Sequence, residues 1–215
     1  MQTELTQLTR EKLSAASDPV QYARSHTPDI EDIYLGKAAA ETPAKFADIL
    51  EYPDEGWQWR IEKLSEDLAD TGDAAGYFKS FCEKTRSMTL IELQELYAQS
   101  FDLNPNCALE IGYHLFGEDY KRGAFLANLR ETEGDLPLGQ DQQLPDYLPV
   151  LLRLLAHLGD DELRGSLAGH CVIPGVKKII TAFKGANPYV DLLNAALSAL
   201  TQAVNKENDR VPIID

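Results

Sequence analysis

The sequence predicts an all-α protein, a single globular multi-helix bundle, on three observations. Apolar residues recur at helical spacing: Leu148, Leu151, Leu152, Leu155 and Leu158 mark one helix face, and Val190, Leu193, Leu197, Leu200 and Val204 mark another. Alternating β-branched runs are nearly absent, which argues against a sheet. Helix start signals (Pro43, Thr89, Pro174 and Asn187-Pro188) stand where the periodic segments begin. The 215 residues suit one domain with an appendage, and a 44% hydrophobic share is enough for one sizeable core.

In chain order, residues 1–41 read as an N-terminal extension with two weak helices, near 3–16 and 28–40, broken by Asp18-Pro19 and Thr27-Pro28. Residues 42–205 read as the helical domain and 206–215 as a C-terminal tail. Within the domain, helical patterns cover 43–51, 57–70, 74–86, 89–100, 106–115, 119–132, 148–158, 174–184 and 190–204. Gly117 is placed as a helix stop with positive φ, and Glu118 or Asp119 as the start of the next helix. Residues 133–146 are rich in Gly, Pro, Gln and Asp and read as a long loop, a class that often carries function. Asp146 is placed as the N-cap of the helix after it, with Pro149 tolerated in the first turn.

Charge narrows the function. Lys and Arg number 20 against 35 Asp and Glu, a net charge of −15, so a phosphate backbone or an anionic lipid surface is an unsuitable partner. The negative charge is concentrated in residues 41–75 and 131–162, each at net −7, while 163–215 is net +2. Either these are solvated helix faces, or they set a negative field around a groove for a basic peptide. The N-terminal stretch lacks the apolar core of a secretory signal, and no run reaches the ~18 apolar residues of a membrane span. With three scattered cysteines, Cys82, Cys107 and Cys171, the expectation is reduced thiols in the cytoplasm.

No catalytic constellation is legible. His114 and His157 lack ligand-type partners at helical spacing, apart from Asp160 and Asp161 beside the second, and His170-Cys171 is an adjacent pair whose side chains diverge on a helix. No cysteine has a local base to activate it, and GxxxxGK[ST], GxGxxG and HExxH are missing. The chain is therefore expected to be no enzyme and to hold no metal or cofactor. Asp102 is able to cap the next helix or to pair with Arg122, if the fold brings them together.

The run 89–158 resembles the NarJ branch of the NarJ/TorD redox-enzyme maturation chaperones. The resemblance rests on Tyr97-x₃-Phe101-Asp102-Leu103, Tyr113-His114-Leu115-Phe116-Gly117, Arg122-Gly123-Ala124 and Leu144-Pro145-Asp146-Tyr147-Leu148-Pro149-Val150-Leu151-Leu152. The earlier Ile49-Leu50-Glu51-Tyr52-Pro53-Asp54 resembles the family's opening helix. It implies an all-helical assembly chaperone for a molybdenum-containing oxidoreductase, such as a nitrate reductase. Such a chaperone binds the N-terminal leader of the catalytic subunit and holds it in the cytoplasm for cofactor insertion; molybdenum-cofactor delivery proteins are further candidate partners. The implied peptide-binding residues are Asp102, Leu103, His114, Arg122, Gly123, Leu144, Pro145, Asp146, Tyr147, Leu148 and Pro149. Leu103, Leu144, Tyr147 and Leu148 are the expected apolar floor, with Asp102, Asp146 and the acids of 131–135 facing the peptide's basic residues. The alternative is a stable structural subunit of a multi-subunit redox enzyme.

Overall fold

The computed structural model describes residues 42–68, 72–139 and 143–208. The expected helices near 3–16 and 28–40 lie outside the described residues, as does the tail beyond 208. After a helical turn at 42–45, the elements are α1 (Ala47–Leu50), α2 (Trp57–Asp67), α3 (Asp73–Thr85), α4 (Leu90–Tyr97), α5 (Ile111–Phe116), α6 (Tyr120–Glu133), α7 (Leu148–His157), α8 (Asp161–Leu167), α9 (Ile173–Ala182) and α10 (Pro188–Asn208). Wide π turns extend α4 over Ala98–Asp102 and join α8 to α9 over Ala168–Val172. No strand occurs among the described residues, and no helix there is long and apolar enough to cross a membrane. The all-α prediction is met.

Local chemistry explains several helix ends. Thr89 closes a capping box: its hydroxyl accepts the Glu92 N–H, while Glu92 Oε2 accepts the Thr89 N–H at 2.7 Å. Asp119 caps α6 by accepting the Lys121 N–H at 2.9 Å. Gly117 ends α5 at φ +62°, a conformation that penalises any side chain. Asn187 Oδ1 accepts the Tyr189 N–H at the start of α10.

The buried apolar residues form one cluster. In it α3 lays Ala74, Phe78 and Phe81 against α10, which buries Ala195, Ala196 and Ala199. Tyr189 sits fully buried among Phe81, Tyr97 and Phe101, with ring centroids 4.8–5.8 Å away in tilted or edge-on geometry. The same cluster takes in α7. Leu148, Pro149, Val150, Leu151, Leu152, Leu154 and Leu155 are all buried, so this helix is apolar nearly all round and sits centrally. Each such leucine contributes about 1.5–3 kcal/mol by leaving water.

Four expectations change. The helix expected over 106–115 starts only at Ile111, because residues 109–111 pair with 146–148 instead. Ile111 N–H donates to the Asp146 carbonyl at 2.8 Å and Leu148 N–H to the Leu109 carbonyl at 2.9 Å, a short antiparallel bridge. Asp146 does not cap α7: the flanking residue is Tyr147, with no side-chain cap bond. The bridge holds the Asp146 backbone and turns its side chain inward. Helix α8 has no counterpart among the expected elements, although Asp160 caps it through Leu163 N–H and Leu163, Leu167 and Cys171 recur every four residues. The loop after α6 is also less free than its composition implies, since Leu138 is fully buried and its carbonyl accepts Arg153 Nη1 at 3.0 Å.

Candidate functional site

The bridge between 109–111 and 146–148 brings the starts of α5 and α7 side by side. Asp146 then points under α5 and is fully buried. A buried carboxylate needs a partner, and α6 supplies one: Arg122 Nε donates to Asp146 Oδ2 at 3.0 Å. The approach is possible because residue 112 is glycine. A Cβ there would lie 2.6 Å from Asp146 Oδ2 and 3.1 Å from the Phe125 ring. Tyr113 presents its ring to the Arg122 guanidinium at 5.8 Å, within cation–π reach. Asp146 Oδ1 is buried and has no hydrogen-bond partner among the described residues. Arg122 keeps 23% of its side chain exposed, so the pair is rooted in the core and opens to the surface through the arginine.

The other predicted site residues fall into three groups. Pro145, Tyr147, Leu148 and Pro149 are buried beneath this surface; they build the start of α7. His114 is half-buried, its Nε2 2.6 Å from the Ala108 carbonyl, and its own carbonyl accepts Lys178 Nζ at 2.6 Å. Asp102, Leu103, Gly123 and Leu144 are exposed, Leu103 by 77%. No ion pair joins Asp102 to Arg122; Asp102 ends the π turn that buries Phe101, and partial desolvation raises its carboxyl above the ordinary value. Of the acids in 131–135, Glu133 is buried and bonded to Arg130 at 3.1 Å. Desolvation raises its pKa while Arg130 opposes the rise.

A second polar cluster is not legible in the sequence. Tyr97 donates to the Leu50 carbonyl at 3.1 Å and its hydroxyl lies 2.8 Å from that of Tyr147. Tyr147 in turn lies 3.3 Å from Glu51 Oε2. Arg153 spans Glu51 and Asp48, donating to each at 2.9 Å. This network locks α1 to α4 and α7, and burial pushes both tyrosine hydroxyls well above their ordinary pKa. Sequence signals exist for two residues that the sequence reading misses. Gly112 is a glycine inside a helical pattern, a mark of close approach, and Arg153 is the lone cation in an apolar run.

The arrangement offers binding surface more than reactive chemistry. No group of three or more His, Cys, Asp or Glu among the described residues could hold a metal. Burial raises all three thiols, Cys171 to about 11, which keeps them protonated near neutrality. A small, shallow hollow lies between Pro43, Leu155, Leu200, Ala203 and Val204, and none of the predicted site residues lines it.

No family model matches the chain. Curated proteins do. Over 158 residues the chain is 28% identical to the "Probable nitrate reductase molybdenum cofactor assembly chaperone NarJ" of Bacillus subtilis (strain 168), covering 71% of this chain and 84% of that protein. The chain is thus similar to a protein named as a NarJ assembly chaperone. Over 121 residues it is also 28% identical to the "Probable nitrate reductase molybdenum cofactor assembly chaperone NarW" of Escherichia coli (strain K12), covering 55% of this chain and 51% of that protein. The NarJ resemblance carried by the motifs around Asp102, His114, Arg122 and Asp146 thus agrees with the wider comparison, and an all-helical fold agrees with both.

Proposed function

We propose that the chain is a system-specific assembly chaperone for a molybdenum-containing oxidoreductase, a nitrate reductase or a close relative. It binds the N-terminal leader of the catalytic subunit in the cytoplasm and holds that subunit for cofactor insertion. The observation that carries this reading is homology to two named nitrate reductase assembly chaperones, one of them across 84% of its length. Holding a client asks no catalysis and no resident cofactor of the chain.

The surface supports the reading in kind. Leu103 and Leu144 remain exposed near the ends of the site segments, and an amphipathic leader helix has apolar side chains to set against them. The net charge of −15 favours encounter with a basic leader, and more so at low salt. Asp146, Tyr147 and Leu148 act from below, by fixing the surface that the leader meets. Transient holding calls for an affinity on the order of micromolar, about −8 kcal/mol.

Calorimetry with the leader peptide of the nitrate reductase catalytic subunit from the same organism tests the reading. The expected result is one-to-one micromolar binding that weakens as salt rises. A chain that ignores this peptide, yet co-purifies with mature holoenzyme, would be a structural subunit instead.

A further inference from the structure

The Arg122–Asp146 pair defines the chemistry of whatever lands on it. Asp146 has no exposed surface, so a basic residue of a partner finds no carboxylate to touch there. The groups that do reach the surface belong to Arg122. Asp146 engages the guanidinium side-on, through Nε alone. Among the described residues no hydrogen bond occupies either Nη, and 23% of the side chain is exposed. The guanidinium is held on one edge by a buried carboxylate and faced by the Tyr113 ring, so its orientation is set before any ligand arrives. The remaining end-on edge, with one N–H from each Nη, matches an acceptor with two oxygens. Gly123, the next residue on α6, is exposed and adds no side chain beside the arginine.

We propose that Arg122 is a carboxylate receptor that reads an acidic side chain of the bound leader, with Asp146, Gly112 and Tyr113 as its positioning residues. This rests on the leader-binding reading and adds a second recognition element of opposite sign to the acidic surface. A leader that carries only basic charge satisfies the overall field of the protein but leaves the fork empty. Selection among leaders then depends on where an Asp or Glu stands relative to the apolar face of the peptide, which discriminates between clients that are equally basic.

Two peptides and two proteins test the proposal. The peptides are the client's natural leader and the same leader with every Asp and Glu replaced by Asn and Gln. The proteins are the native chain and the double variant Arg122→Gln/Asp146→Asn, which keeps a neutral hydrogen-bonded pair in place. The native chain should bind the amide leader about tenfold more weakly than the natural one, and the double variant should bind both leaders equally and weakly. Equal binding of the two leaders by the native chain overturns the proposal, as does a double variant that still separates them. Where the double variant does not fold, Arg122→Lys carries the same test, because lysine keeps the charge without the fork; undiminished discrimination by that variant overturns the proposal. A native chain that binds neither leader sinks the leader-binding reading itself, and the receptor with it.

Discussion

The aromatic cluster around Tyr189 and the junction of α5, α6 and α7 solve opposite problems. Around Tyr189, Phe78, Phe81 and Phe101 fill space with rings, and the buried Tyr189 hydroxyl makes no hydrogen bond among the described residues. At the junction, a fully buried carboxylate depends on one arginine nitrogen and on the missing side chain of Gly112. The first region gains stability from area and tolerates approximate shapes. The second gives up stability to hold a charged group in one orientation, since a buried ion pair contributes little net energy. The difference separates scaffold from the part that, under the proposed function, is shaped for contact.

The largest expected effect lies in the scaffold. Phe81→Ala removes a ring that meets Trp57, Phe78 and Tyr189, and should cost about 3–5 kcal/mol in denaturant melts. Leader affinity, measured on the folded fraction, should stay unchanged. A strong loss of affinity in that fraction would erase the division between the two regions. Gly112→Ala comes next, at about 1–3 kcal/mol, because the new methyl must displace Asp146 or the Phe125 ring. Here affinity should fall together with stability, since the displaced carboxylate no longer aligns Arg122.

The smallest effect sharpens the contrast through pH. Burial raises the Glu133 carboxyl, so the folded chain keeps its proton to higher pH than the unfolded chain does. The stability from that group is present below the ordinary carboxylate range and is lost as pH rises through the raised value. The melting temperature of Glu133→Gln relative to the native chain should therefore climb as pH rises from about 4.5 toward neutrality. A difference that is flat with pH would mean that Arg130 fully offsets the burial.

The same contrast explains what is legible in the sequence. Helices α7 and α10 are visible because leucine spacing encodes a face directly. Capping at Thr89 and Asp119 is visible because it is local. Asp146 reads as a cap in the sequence, but its fate is decided by a backbone bridge to Leu109 and Ile111, far away in the chain. The sequence offers Asp102 as the partner of Arg122, and the fold supplies Asp146; both acids flank apolar runs, and only the three-dimensional arrangement separates them. The Tyr97–Tyr147–Glu51–Arg153 network joins residues 50 to 102 positions apart, which no window of local periodicity can reach.

The π turn at Ala98–Asp102 continues α4 without a break and widens its last coil. A wide coil accommodates one more residue than a regular one, so it acts as a phase shifter between Tyr97 and the residues after Asp102. Phe101 enters the core while Asp102 and Leu103 emerge on the outside. Deleting a single residue from this coil would leave a regular helix but rotate everything beyond it by about 100°. Phe101 would swing away from Tyr189, and Leu103 would leave the face it now decorates. Homologous chains that preserve the placement of those side chains must therefore keep the length of this short segment more strictly than its composition.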